Sequence, residues 1–252
     1  MMKNKNGLIV GIADEHSIAW GCAKALHAAR ANVALTYMND KAKPHVETLA
    51  KEIKAAIIRP LDITKEDQIE ELFSELKRCW GGLDFVLHAV AYAPKADLQG
   101  RFIDTSSAGF MLAMNTSCHS LVRLARASEP LMIEGGAIVT LSYYGSEKVI
   151  PDYGLMGPVK AALEASVRYL AVELAPKNIR VNALSPGPIK TRAASGLKDF
   201  DKLLQKAADE APLHKVITIE QIGEMVTFLL SDQAKPIIGQ VIYADNGYNI
   251  LG

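Results

Sequence analysis

Short apolar runs alternate with amphipathic helical patterns from one end of this chain to the other, and that order constrains the fold more than any other feature. Runs at 7–10, 32–37, 55–59, 85–89, 137–141, 180–184 and 241–244 read as strands. Between them, residues 18–30, 43–54, 65–80, 105–128, 155–174 and 219–230 repeat apolar side chains three and four apart, as a helix with one buried face does. Strands that alternate with helices form a parallel sheet covered on both faces. The expected class is therefore α/β, a single-domain Rossmann-like doubly wound parallel sheet of the seven strands just named.

Composition excludes several alternatives. A hydrophobic share of 49% against 22% charged supplies apolar mass for a sizeable core. With 28 basic and 28 acidic residues, no global field draws the chain to nucleic acid or to an anionic membrane. Cys22, Cys79 and Cys118 fit no metal or redox spacing, so reduced thiols and a cytoplasmic location are expected. The six histidines form no HExxH pair and no Cys/His cluster, so no metal is expected. No stretch of 18 uninterrupted apolar residues occurs, which argues against a membrane helix.

Chemistry concentrates after the fifth apolar run, in Leu141-Ser142-Tyr143-Tyr144 and Tyr153-Gly154-Leu155-Met156-Gly157-Pro158-Val159-Lys160. On a helix, Tyr153 and Lys160 would be offset by about 20° and share one face. A lysine charge beside a phenol favours phenolate and strengthens the hydroxyl as a donor, so such a pair can polarise a carbonyl oxygen. Taken alone, a Tyr and a Lys on one face are more often a half-buried aromatic and a solvated amine. Pro158 is tolerated only in the first turn, so the helix should start near 154–157 with Tyr153 at its threshold.

The first strand feeds Gly11-Ile12-Ala13-Asp14-Glu15-His16-Ser17-Ile18-Ala19-Trp20-Gly21, a turn into a helix. Glycine there allows close backbone approach to a pyrophosphate, and a helix N-terminus offers free N–H groups and a favourable dipole. This is not GxGxxG, a motif weakly informative even when complete. Asp62, after the third strand, reads equally as a ligand contact or as a cap of the next helix. Residues 185–197, with Pro186, Pro188 and Gly196, are the least regular stretch and lead into an amphipathic segment at 198–210. A long segment of this kind is usually a lid or binding loop.

In these spaced stretches, from Gly7 to the C-terminus, the chain resembles the enoyl-acyl carrier protein reductases of bacterial fatty-acid synthesis, a divergent branch of the short-chain dehydrogenase/reductase superfamily. The six-residue gap between Tyr153 and Lys160, with Tyr143 upstream, separates this branch from relatives that leave three. The resemblance implies hydride transfer from NADH to a trans-2-enoyl thioester carried on acyl carrier protein, by a single domain over 1–252 with a lid at about 186–210. Its catalytic residues would be Tyr143, Tyr153 and Lys160, with Lys160 on the nicotinamide ribose. Cofactor contacts would come from Gly11, Ser17, Ile18, Asp62, Ile63, Val90, Ile189 and Thr191. Ala91, Tyr92, Ala93, Met156, Phe200 and Leu203 would join Tyr143 and Tyr153 around the acyl chain.

Ala91 departs from the family, which often has Gly there, and would narrow the site by about one methyl group. The second strand ends without an arginine, which favours NADH, while Lys41 and Lys43 keep NADPH open. The resemblance also implies a homotetramer, with contacts around 161–174 and 245–252, and a carrier-docking patch of Lys198, Lys202 and Lys206 with Lys190 nearby. Two other readings are a short-chain carbonyl or hydroxyacyl reductase and a non-catalytic dinucleotide-binding regulator. The first would normally use Ser with a Tyr-x-x-x-Lys spacing, and the second would be expected to lose the Tyr/Lys pair.

Overall fold

In the computed structural model of the protein, which describes residues 1–191, 194 and 200–251, seven strands form one parallel sheet. They are β1 (Asn6–Val10), β2 (Asn32–Tyr37), β3 (Ile57–Pro60), β4 (Phe85–His88), β5 (Gly136–Leu141), β6 (Ile179–Pro186) and β7 (Val241–Ala244). Their spatial order is β3-β2-β1-β4-β5-β6-β7, with every neighbouring pair parallel. The order reverses between β1 and β4, where Leu8 pairs with Val86 and Val10 with His88. In such sheets the crevice outside the carboxyl ends of the strands at this reversal is where ligands bind.

The helices are α1 (Ile18–Ala28), α2 (Lys43–Glu52), α3 (Glu66–Trp80), α4 (Lys95–Gln99), α5 (Ser107–Met114), α6 (Ser120–Ser128), α7 (Met156–Leu174), α8 (Phe200–Glu210) and α9 (Ile219–Leu230). Because strand side chains alternate in direction, the sheet divides the apolar residues into two cores. Leu8, Val10, Val86, Ile138 and Val181 face a cluster built with α3, α6 and α7. Ile9, Phe85, Leu87, Val139 and Leu184 face the other, built with α1, α2 and α9. Among the described residues no helix is long and apolar enough to cross a membrane.

Two local departures from the sequence expectation bear on the site. The helix expected over 105–128 is interrupted: α5 ends at Met114, a π-helical turn occupies Asn115–His119, and α6 resumes at Ser120. A π turn inserts one residue without disturbing the apolar spacing on either side, so periodicity cannot reveal it. The short helix α4 was not expected at all. As expected, α7 starts within 154–157 and Tyr153 lies at its threshold, in the turn between Asp152 and Gly154, both at positive φ (60° and 46°). Pro158 does fall in the first turn of α7.

Candidate active site

The turn between β1 and α1 is built on Gly11, whose φ of 114° suits glycine and whose missing side chain matters as much. A carbon placed there would stand 2.1 Å from the carbonyl oxygen of Ala89, so any larger residue would push the turn off the end of β4. Ser17 serves this turn more than a ligand. Its Oγ accepts from the amides of Ala13 (3.0 Å) and Asp14 (3.1 Å) and donates toward the Asp14 carboxylate at 3.3 Å. What the start of α1 offers outward is the amides of Ile18 and Ala19, since those of Trp20 and Gly21 already donate to the Ser17 carbonyl. Ser17 therefore shapes the β1–α1 turn through its side chain.

Asp62 and Ile63 stand beyond the end of β3. Asp62 Oδ1 accepts from both the amide (3.0 Å) and hydroxyl (2.7 Å) of Thr64, and the Asp62 amide donates to Gln68 Oε1 at 2.7 Å. The helix cap proper is Lys65, so Asp62 braces the loop and does not cap α3. Ile63 is buried in the core on that side. After β2, Asn39 Oδ1 accepts from the amides of Lys41 and Ala42, and Lys43 reaches Glu47 at 4.0 Å.

At the carboxyl end of β4, Val90 packs against the α3/α6/α7 core, Ala91 is exposed, Tyr92 is half exposed and Ala93 is buried. This loop is gripped by Ser117 from the π turn, which accepts from the Tyr92 amide at 2.8 Å and donates to the Tyr92 carbonyl at 3.0 Å. Inside the sheet, His88 lies between Thr140 Oγ1 (2.7 Å) and Ser120 Oγ (2.8 Å). The Ser120 hydroxyl donates its proton to the Thr116 carbonyl, so it must accept from His88 Nε2–H, and Nδ1 then accepts from Thr140. Burial, helped by the nearby Lys160 charge, pushes the His88 pKa down to about 3.

Beyond β5 the rings of Tyr143 and Tyr153 come together, while Lys160 reaches the end of the same strand. The rings of Tyr143 and Tyr153 meet edge to face, 4.8 Å between centroids and 61° between planes. Tyr153 also lies across Gly145, where a side-chain carbon would fall 2.4 Å from the ring. Tyr143 Oη is buried with no hydrogen-bond partner among the described residues. An unpaired hydroxyl in such a place is a functional signal, since buried polar groups are ordinarily satisfied. Lys160 is buried on α7 and donates to the Leu141 carbonyl at 2.6 Å, at the end of β5.

The electrostatics correct one expectation. Both phenols are pushed up from their ordinary values, first by burial, and for Tyr153 the next influences are Tyr143 and Glu164, with no contribution from Lys160. Burial therefore favours the protonated phenol at Tyr153. Lys160 itself is lowered to about 8 by burial, with Glu164 opposing. Seven residues of sequence separation promised a shared helix face, but Tyr153 precedes α7, and burial outweighs any attraction the lysine exerts.

The expected acyl-binding residues gather in part. Met156 and Ala207 belong to the same apolar cluster as Tyr143 and Tyr153, and Leu203 packs against that cluster. Phe200, at the start of α8, is buried. Ile189 packs on the opposite core, and Thr191 Oγ1 accepts from the Ala194 amide at 3.1 Å. Lys190 pairs with Asp201 (3.2 Å) and Lys206 with Glu210 (3.7 Å), so these two lysines carry their own counter-charges. Lys198 and most of the lid tip, 195–199, lie outside the described residues. Separately, a cavity of about 640 Å³ opens at the other edge of the sheet, among Lys5, Asp84, Glu134, Arg180 and Asp232. Lys5 and Asp84 pair there at 3.0 Å and Arg180 donates to the carbonyls of Leu229 and Ser231, which makes that cavity a structural seam between strand beginnings and α9.

Sequence reasoning missed Ser117, Ser142, Ser146 and Glu164. For Glu164 a signal existed: an acid one helical turn after Lys160 and flanked by Leu163 and Val167 falls on the buried face of an apolar helix.

A family profile described as Enoyl-(Acyl carrier protein) reductase matches residues 11–249. The chain is 47% identical over 252 residues to Enoyl-[acyl-carrier-protein] reductase [NADH] 1 of Rhizobium meliloti, covering 100% of this chain and 93% of that protein. Among solved structures it is similar to the enoyl-[acyl-carrier-protein] reductase (NADH) of Aquifex aeolicus, with TM-score 0.96, 45% identity, and coverage of 100% of this chain and 99% of that one. The corresponding reductase of Anaplasma phagocytophilum, solved with NAD, gives TM-score 0.96 and 45% identity, with coverage of 100% and 96%.

Proposed function

The chain belongs to the enoyl-acyl carrier protein reductase family, and on that premise we propose that it reduces the trans-2 double bond of an enoyl thioester held on acyl carrier protein, in type II fatty-acid synthesis. The observation that carries this reading is the buried pair of protonated phenols, Tyr143 and Tyr153, in edge contact beside the end of β5.

The residues present fit a nicotinamide dinucleotide. The Gly11 turn leaves the space a side chain would fill, and the first-turn amides of α1 suit a pyrophosphate. Ile18, Val90, Ile189 and Thr191 would meet the cofactor at this end of the sheet, and Asp62 and Ile63 would receive its adenine. The absence of an arginine after β2, and the pairing of Lys43 with Glu47, favour NADH. When bound, NADH supplies the hydride.

Negative charge then builds on the thioester oxygen, and Tyr153 meets it as a hydrogen-bond donor whose proton burial keeps in place. Donation of this kind is typically worth about 3 kcal/mol of barrier. Lys160, its amine fixed by the Leu141 carbonyl, holds the ribose of the cofactor and acts by position. Tyr143 flanks the acyl chain, with its unpartnered hydroxyl available to substrate. Ala91 and Tyr92 border the entrance on the loop held by Ser117, and α8, the described part of the lid expected at 186–210, would bring Phe200 and Leu203, with Met156, against the acyl chain.

The carrier is an acidic protein, and we place its docking on the lid side. The Lys190–Asp201 and Lys206–Glu210 pairs are exposed, and exposed pairs of this kind bind weakly enough to exchange partners. We also propose a cytoplasmic homotetramer. Tyr169 and Val172 on α7 are 80% and 77% exposed, Met111 on α5 is 68% exposed, and Ile250 near the C-terminus is 74% exposed.

Following NADH absorbance with a 2-enoyl thioester, and then with NADPH, tests the activity. Tyr153→Phe should lower kcat about a hundredfold while leaving NADH affinity nearly unchanged, whereas Lys160→Ala should weaken NADH binding as well. Wild-type turnover in the Phe variant would remove Tyr153 from the role given to it.

A further inference from the structure

We infer that Glu164 is a positioning residue of this active site: its carboxylate ties the turn that carries Tyr143 to the helix that carries Lys160 and supplies the counter-charge facing the Lys160 ammonium. The inference deepens the reading above and rests on the role given there to Lys160.

Glu164 is 5% exposed on α7, one helical turn beyond Lys160. Its Oε1 accepts from the hydroxyls of both Ser142 and Ser146, the latter at 2.6 Å. These two serines bracket Tyr143, Tyr144 and Gly145, so one carboxylate oxygen closes both ends of the segment that presents Tyr143. The same segment is held from the sheet side, where the Ser142 amide donates to the Leu184 carbonyl at 2.8 Å. Lys160 grips the preceding residue through the Leu141 carbonyl. A carboxylate among Val159, Leu163 and Val167 is retained only if its charge is compensated, and Glu164 has two hydroxyl donors and the Lys160 charge acting on it.

The charges around this pair are few. Facing Lys160 are Glu164 from its own helix, Cys118 from the π turn and His88 from β4. Facing Glu164, besides Lys160, are the phenols of Tyr153 and of Tyr243 on β7. Glu164 is thus the principal anion acting on Lys160, opposing the burial that brings the amine down to about 8. Without it the ammonium would give up its proton at lower pH, and its grip on ribose hydroxyls would weaken there.

Glu164→Gln keeps the size and an acceptor but removes the charge, and Glu164→Asp keeps the charge. NADH affinity, read by cofactor fluorescence across pH 6 to about 10, should weaken in the wild type as pH passes the Lys160 pKa. In Glu164→Gln that weakening should begin about one pH unit lower, and Glu164→Asp should restore it toward the wild-type position. A Glu164→Gln profile that overlays the wild type would overturn the counter-charge, whatever its effect on thermal stability. Lys160→Ala, run in parallel, separates the two levels: if it binds NADH like the wild type, the role of Lys160 fails and not this inference alone. The Ser142→Ala/Ser146→Ala double variant tests the tie without touching the charge. It should lower kcat about tenfold with the pH profile in place, and unchanged kcat would overturn the tie.

Discussion

At the scale of single residues, burial sets the protonation of this site more strongly than neighbouring charges do. Tyr153 keeps its proton, Lys160 is brought down to about 8, and His88 is neutral between two hydroxyls. His88 makes this visible in stability. Its folded pKa, about 3, lies below the ordinary 6.5, so the unfolded chain binds a proton that the folded chain refuses. Stability is therefore lost as pH falls from 6.5 toward 3, by about 2 kcal/mol at pH 5 from this residue. His88→Gln should be less stable at pH 7, where it loses a hydrogen bond, yet show a flatter decline between pH 6.5 and 5. Urea midpoints across that range check it; equal slopes would mean His88 is protonated in the folded state.

At the scale of elements, the cofactor end depends on how closely α1 approaches α9. A side-chain carbon on Gly21 would stand 2.2 Å from the Ile219 carbonyl oxygen, and one on Gly223 would stand 2.5 Å from that of Gly21. The two backbones touch, and this contact sets the tilt with which α1 aims its first turn. Gly223→Ala should destabilise by about 1–3 kcal/mol despite alanine's better helix propensity, because neither backbone can retreat freely. NADH affinity should fall with it. Denaturant unfolding and a cofactor titration read the two effects, and a stabilised variant with unaltered affinity would contradict the close-contact argument. The π turn at Asn115–His119 works similarly on the other core, since it delivers Ser117 to the Tyr92 backbone.

At the scale of the whole molecule, α5 and α7 turn apolar side chains to the outside that a lone chain leaves wet. Tyr169 and Val172 are the most prominent, and they lie on the helix that carries Lys160. Closed symmetric assembly is the usual way such faces are covered. Light scattering should give four times the 27.3 kDa chain mass, and Tyr169→Asp with Val172→Glu should lower it while leaving the circular dichroism unchanged. A wild-type chain that stays monomeric at micromolar concentration would dismiss the tetramer.

Much of this was readable from the chain before any coordinates. Apolar runs of strand length, alternating with helical spacing, specified the parallel sheet because each element must bury a face whose period its own residues carry. Gly11, Tyr143, Tyr153 and Lys160 could be singled out as candidates because their types and spacing are local properties and their pattern resembles that of one family. What needed the tertiary structure is whatever depends on residues far apart in the chain. The tie from Glu164 to Ser142 spans 22 residues, the grip of Ser117 on Tyr92 spans 25, and His88 meets Thr140 across 52. The state of Tyr153 belongs to the same class. Sequence placed a lysine seven residues away, whose charge would favour phenolate and strengthen the hydroxyl as a donor, but pKa follows from how many atoms displace water around the group, and only the packed core determines that.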